Sequence, residues 1–140
     1  MDVTPIVSRR PSARSTGVFS GRARSLGHAI DGVKYAARSQ PNARVHCAVG
    51  VFASALGVWL GLSSAELALL VLTIGLVLAL EAMNTAIESA VDAIQRPPSV
   101  AAKCAKDCAA AAVLIGAVAS MVVGGILFVP RLAALIFSLA

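Results

Sequence analysis

The chain is predicted to be an all-α membrane protein, with three membrane-crossing helices and one amphipathic helix on the membrane surface. Three observations predict this. Of the 140 residues, 58% are hydrophobic and 14% charged, well beyond the apolar share of a typical soluble domain, and the length suits a single domain. No Asp, Glu, Lys or Arg occurs in the 21 residues between Arg44 and Glu66 or in the 23 from Cys108 to Pro130, and about 20 apolar residues carry a helix across the hydrocarbon core. The net charge of +5 is uneven, with eight of the twelve Lys and Arg residues ahead of His46, a placement that speaks of topology and anionic headgroups. Nucleic acid is not an expected partner, because no basic motif carries interleaved aromatics and the chain has one Trp and one Tyr.

Residues 1–24 hold Pro5, Pro11 and five Arg residues without any periodicity that could bury a face, and are expected to be a disordered basic tail. They lack the apolar core of a secretory signal, so the first span is expected to direct insertion. The membrane domain is placed at residues 25–140. Its surface helix, residues 26–39, repeats Leu26, Ile30, Val33 and Ala37 at helical spacing, with His28, Asp31, Lys34 and Arg38 on other faces. Pro41 stops it within the turn Gln40-Pro41-Asn42.

The spans are placed at about 45–62, 66–94 and 100–129. Gly61-Leu62-Ser63-Ser64 makes the first turn, with Ser64 as the expected N-cap. The uncharged part of the second helix, Leu67 to Leu80, has only 14 residues and would reach roughly 21 Å, so the helix must continue through Glu81. Pro97-Pro98 ends it, Ser99 caps the third span, and small residues such as Gly116, Ala117, Ala119 and Ser120 mark where that span approaches a neighbour closely. Basic residues in the tail and between Arg96 and Lys106 place the N-terminus in the cytosol and the C-terminus outside. Cys47, Cys104 and Cys108 show no metal spacing and read as packing residues.

The chemistry is placed on the stretch from Glu81 to Asp92. In a helix, Glu81, Asn84, Glu88 and Asp92 fall at roughly 0°, 300°, 340° and 20°, so one narrow face is polar. Ionisable groups at the edge of a membrane mark a functional site by default. The loop after them brings Lys103, Lys106 and Asp107 to the same end. Hard oxygen donors of this kind suit Mg²⁺ held together with phosphates, a lysine meets phosphate charge, and a carboxylate free of metal takes a proton from a hydroxyl. Phosphoryl transfer is what these parts can do together. The plainer alternative is that Glu88, Asp92, Lys103 and Lys106 pair as solvated charges at helix ends, and that His46 is a hydrogen-bonded residue at the mouth of a span. A non-catalytic membrane oligomer, or a small bundle conducting ions along the carboxylate stripe, is a further class. No phosphate loop of the soluble-kinase type is present.

The run Glu81-Ala82-Met83-Asn84-Thr85-Ala86-Ile87-Glu88-Ser89-Ala90-Val91-Asp92, followed by Ala102-Lys103-Cys104-Ala105-Lys106-Asp107, strongly resembles the small prokaryotic diacylglycerol kinase and undecaprenol kinase family over about residues 25–130. The resemblance implies a homotrimeric bundle in the inner membrane with its active site on the cytosolic side. It implies phosphorylation of a lipid hydroxyl with ATP and Mg²⁺, diacylglycerol being the first expected substrate and undecaprenol the alternative. By the same resemblance Glu81 would be the general base beside Asn84, Glu88 and Gln40 would hold the metal, and Lys106, Asp107 and His28 would line the nucleotide pocket, with Asp92 and Lys103 in support. Two positions depart from the family pattern. Gln40 stands where a second metal-binding Glu is usual, and His28 where a Tyr is common. The turn Asn42-x-Arg44-x-His46 and the Phe128-Val129-Pro130 end look more like the undecaprenol kinase branch.

Overall fold

A computed structural model describes residues 18–94 and 99–139. It contains four helices: α1 (Val18–Ser39), α2 (Pro41–Trp59), α3 (Ser64–Ile94) and α4 (Val100–Leu139), with no strand among the described residues. The chain divides into two units, one ending at Asp31 and the other beginning at Gly32. Most of the predicted tail and the Pro97-Pro98 stop lie outside the described residues.

Helix α1 begins at Val18, eight residues before the expected Leu26. No proline interrupts the chain between Pro11 and Pro41, and Arg22, Ala23 and Arg24 are strong helix formers, so helix reaches back into the basic segment. Leu26, Ile30 and Val33 of its apolar stripe are exposed. The break to α2 is a single extended residue, Gln40 (φ −111°, ψ 117°), after which Pro41 occupies the first helical position, where its missing N–H costs nothing. Gln40 makes no side-chain cap on α2, which leaves its amide for another partner.

The turn from α2 to α3 is built from hydrogen bonds that use every residue in it. Leu62 N–H donates to Gly57 O (3.0 Å) and Gly61 N–H to Val58 O (3.2 Å), a Schellman closure that requires the left-handed conformation found at Gly61 (φ 67°). Ser63, not the expected Ser64, then caps α3. Its Oγ accepts from Glu66 N–H (3.4 Å), while Glu66 Oε2 accepts from Ser63 N–H (2.8 Å), the reciprocal pairing of a capping box. Ser63 wins because it stands three residues before a glutamate, the spacing that lets both groups reach back.

Helix α3 runs unbroken past Glu81 to Ile94, as its short uncharged part demands. Ser99 caps α4, its Oγ accepting from Ala102 N–H at 3.1 Å. Helix α4 does not stop at residue 129; it passes through Pro130 to Leu139. Proline removes one backbone donor from the helix interior, the one that would meet Ile126 O, and the next carbonyl, Leu127 O, accepts from Arg131 Nη1 at 2.9 Å.

Contacts along α3 run antiparallel to both neighbours. On α2, His46 meets Glu81 and Gln40 meets Glu88; on α4, Arg131 meets Glu66 and Lys106 meets Asp92. Buried Leu62, Leu70 and Leu127 form an apolar core toward the Glu66 end, with Leu67, Ile74, Val123 and Phe128 packed against it. Close approach depends on two glycines. A Cβ on Gly50 would lie 2.8 Å from Ile74 Cγ2, and one on Gly116 would lie 2.6 Å from Leu80 Cδ1. Helices α3 and α4 are long and apolar enough to cross a membrane, and only 17% of each apolar window is buried within the chain.

Overpacking a tight helix contact costs about 1–3 kcal/mol, and Ile74 is β-branched and stiff. Gly50→Val should therefore lower the thermal unfolding midpoint in detergent. Gly75, also in a helix but with nothing within 4 Å of an added Cβ, is the internal control: Gly75→Ala should leave the midpoint unchanged or raise it, by up to about 1 kcal/mol of stability.

Candidate functional site

The polar face predicted on α3 is real at its first three positions. Glu81 is 2% exposed and Asn84 is buried, while Glu88, one turn further on, is half-buried. The partners of Glu88 come from the break ahead of α2 and from α3 itself. Gln40 Nε2 donates to Glu88 Oε2 at 2.7 Å, and Asn84 Nδ2 donates to Glu88 Oε1 at 3.1 Å, so each oxygen of Glu88 receives one amide donor. Both amides thereby turn a nitrogen to Glu88, leaving their oxygens for other partners. Asn84 Oδ1 is buried and has no hydrogen-bond partner.

Glu81 is held differently. Thr85 Oγ1 donates to the backbone carbonyl of Glu81 (2.9 Å) and does nothing for its carboxylate. His46 Nε2 lies 3.3 Å from Glu81 Oε1, near but not aligned as a hydrogen bond, so that Oε1 is a buried acceptor without one. A buried polar atom left unpaired costs roughly 1–3 kcal/mol, and more when charged. The residues that carry these two acceptors, Glu81 and Asn84, line one cavity of about 280 Å³ together with Gln40, Asn42, His46 and Glu88, with Ala110, Val113, Leu114 and Ala117 as its α4 wall. A second cavity of about 270 Å³, bounded by Val49, Phe52, Ile74, Val77 and Phe128 among others, also has His46 in its wall. One is polar, the other apolar.

The remaining predicted residues stand elsewhere. Asp92 shares the helical face of Glu81 but is exposed, because α3 outruns the cavity. There Lys106 Nζ reaches across from α4 to both Asp92 oxygens (3.0 and 3.1 Å). Lys103 pairs with Asp107 one turn along α4 (2.6 Å). None of these four lines the cavity. His28 is exposed on the part of α1 that belongs to the other unit. His46, read from sequence as a residue at the mouth of a span, stands against the most buried carboxylate of α3, and Asn42 joins the cavity wall without having been singled out for it. The signal for His46 was its position ahead of an uncharged stretch; finding its partner needs the register of α2 on α3.

Among the described residues no three His, Cys, Asp or Glu side chains cluster as a metal cage. The donor set nevertheless fits a hard cation of the Mg²⁺ type, which takes one or two carboxylates and completes its shell with phosphates and water. Glu88 supplies the carboxylate, and the oxygens of Asn84 and Gln40 supply neutral donors beside it.

Long apolar helices with outward apolar side chains, and a carboxylate and amide cluster at one end of them, define a small helical membrane protein with an acidic site. Comparison with known proteins sets it among its kin. The description "Prokaryotic diacylglycerol kinase" matches residues 27–128, and the chain belongs to that family. It is 44% identical over 112 residues to a protein of Synechocystis sp. named diacylglycerol kinase, covering 79% of this chain and 64% of that one. It is 38% identical over 109 residues to a protein of Bacillus subtilis named undecaprenol kinase, covering 78% of this chain and 89% of that one. The chain thus spans just under two thirds of the Synechocystis relative and most of the Bacillus one.

A site that keeps a buried carboxylate oxygen unpaired should be less stable than an apolar replacement of similar size. Glu81→Leu is expected to raise the thermal midpoint in detergent, by about 1–3 kcal/mol of stability. A lowered midpoint would show that Glu81 is structurally satisfied.

Proposed function

We propose that the chain is a lipid kinase of the membrane, transferring the γ-phosphoryl group of ATP to a lipid hydroxyl, with diacylglycerol the first substrate and undecaprenol the second. The observation that carries the reading is Glu81: a buried carboxylate with an unpaired oxygen, bordering a polar cavity and set beside a histidine shared with an apolar one. A base placed there meets a hydroxyl whose hydrocarbon lies in the bilayer and whose phosphoryl donor comes from water.

In the transfer, the lipid hydroxyl oxygen forms a bond to the γ-phosphorus, the bond from that phosphorus to the β–γ bridging oxygen breaks, and ADP leaves. The hydroxyl proton passes to the Glu81 carboxylate as the new bond forms. Asn84, one turn from Glu81 and in the wall of the same cavity, orients the reacting groups. Mg²⁺, when bound, supplies positive charge to the phosphate oxygens, and Glu88 with the amide oxygens of Gln40 and Asn84 would hold it. Gln40 and Asn84 already fix the Glu88 carboxylate through their N–H groups. Lys106 and Asp107 are proposed to meet the nucleotide, with His28 contributing from α1 and Asp92 and Lys103 steadying the two lysine–aspartate pairs.

The diacylglycerol reading follows the Synechocystis relative. The undecaprenol reading has its own support in the Bacillus relative, which this chain nearly spans, and in the Asn42-x-Arg44-x-His46 segment, expected as a turn but found in the first turns of α2, two of whose residues line the polar cavity. The three-span arrangement counts α2 as the first crossing and lays α1 on the cytosolic surface, where its exposed Leu26, Ile30 and Val33 meet lipid. Three copies per assembly and a cytosolic N-terminus complete the proposal.

Purified protein in mixed micelles with labelled ATP should phosphorylate diacylglycerol, undecaprenol or both, and lose the activity when Mg²⁺ is chelated. No labelled lipid product from either would overturn the kinase reading. Glu81→Gln should lower turnover by about 10²- to 10⁴-fold in protein that remains folded.

Metal use gives a separate check. Gln40→Glu restores a carboxylate beside Glu88 and should lower the Mg²⁺ concentration for half-maximal activity, while Glu88→Gln should raise it or end turnover. The two changes act in one network, so their combined effect should be non-additive. An unchanged magnesium dependence in folded Gln40→Glu would place Gln40 outside the metal shell.

A further inference from the structure

Helix α2 presents two polar side chains to the carboxylates of α3. Gln40 meets Glu88, and His46 meets Glu81. The first pair is a complete hydrogen bond at 2.7 Å; the second, at 3.3 Å, is close but not aligned. The Glu81 carboxylate has no other side-chain donor among the described residues: Thr85 serves the backbone, Asn84 donates to Glu88, and the α4 wall opposite is formed by Ala110, Val113, Leu114 and Ala117. Among the described residues, His46 is therefore the side chain placed to fix the orientation of that carboxylate before the reactants bind.

We infer that His46 is the positioning residue of Glu81: its Nε2–H engages Oε1 and leaves the second carboxylate oxygen to receive the proton of the lipid hydroxyl. The inference rests on the reading of Glu81 as the base and extends it to a residue on another helix. A carboxylate free to turn about its last torsion presents either oxygen in many directions. A nitrogen beside Oε1 makes the two oxygens inequivalent. His46 is suited to this by its place, since its side chain is 25% exposed and it belongs to the walls of both the polar and the apolar cavity, where a hydroxyl at the end of a lipid arrives. The 3.3 Å separation tightens as the reactants bind, as catalytic hydrogen bonds commonly do on going from the free to the occupied site.

Steady-state kinetics on five variants tests this, with magnesium, ATP and lipid each varied and folding checked by thermal midpoint. His46→Leu removes the donor and is expected to lower kcat by about 10- to 100-fold, the cost of a misplaced reacting group, with KM for lipid and ATP nearly unchanged. His46→Gln places an amide nitrogen near the position of Nε2 and should keep kcat within about threefold of the parent. His46→Asn, polar but too short to reach Glu81, should behave like His46→Leu, and it preserves the test if the leucine variant fails to fold. In a Glu81→Gln background, His46→Leu should add little, because the two groups act as one unit. A lowered lipid affinity with kcat intact in His46→Leu would make His46 a wall of the lipid cavity and overturn the inference. So would a His46→Gln variant as impaired as His46→Asn. If Glu81→Gln itself turned over normally, the base reading would fall and this inference with it; a crippled Glu81→Gln beside fully active His46 variants would sink the inference alone.

Discussion

A carboxylate at the inner end of an apolar helix has little water to rely on, and most of the architecture can be read as the arrangement that tolerates it. Glu81 is 2% exposed and about 22 Å along α3 from Glu66. Its ionised form is supportable only where neighbouring dipoles or charges replace lost hydration. Helix α2 brings the His46 ring nitrogen to 3.3 Å from it, and α4 brings alanines on the facing wall, with Gly116 close by allowing contact with Leu80. That replacement is partial. The unpaired oxygen is what a structural carboxylate would avoid and a reacting one needs.

The opposite end of the bundle is treated in the reverse manner, with its carboxylate fully engaged. Glu66 accepts from Ser63 N–H, from Ser63 Oγ and from the Arg131 guanidinium, whose nitrogen lies 2.9 and 2.8 Å from its two oxygens. Arg131 also serves a carbonyl of α4. One glutamate therefore joins the α2–α3 turn to α4, and the apolar core of Leu62, Leu70 and Leu127 lies at the same end. Stability is concentrated there, and unsatisfied chemistry at the other end.

Helical periodicity was sufficient to place Glu81, Asn84 and Glu88 on one face, because a 31-residue helix without Pro or Gly near them keeps its phase. The need for α3 to run past Glu81 was legible for the same reason, since its uncharged part is too short to end there. Asp92 shows where the pattern stops being informative: phase says which way a residue points, not whether a cavity is still opposite it. The pairings of Gln40 with Glu88 and His46 with Glu81 depend on how far α2 slides along α3, and that is decided by Gly50 against Ile74 and by the turn geometry, neither of which has a periodic signature. The passage of α4 through Pro130 was hidden because a proline ends most helices, and Arg131, which bonds the Leu127 carbonyl and Glu66, had been counted only as a charge. Family membership, carried by the Glu81 to Asp107 stretch, was the most legible feature of all.

The α2–α3 turn carries a consequence for the evolution of the site. From Gly57 to Glu66 the backbone is fully committed, with Gly61 in the left-handed region and Ser63 and Glu66 locked reciprocally, so the connection has no slack in which a length change could be lost. One residue added within α3 between Glu66 and Glu81 would rotate everything beyond it by about 100°, carrying Glu81, Asn84 and Glu88 together away from α2 and out toward the bilayer. Substitutions can be accepted along this stretch one at a time, but insertions and deletions act on the whole polar face at once. The turn thus works as a phase reference, and the spacing from it to Glu81 is a quantity that descendants of this chain can change only in whole helical repeats.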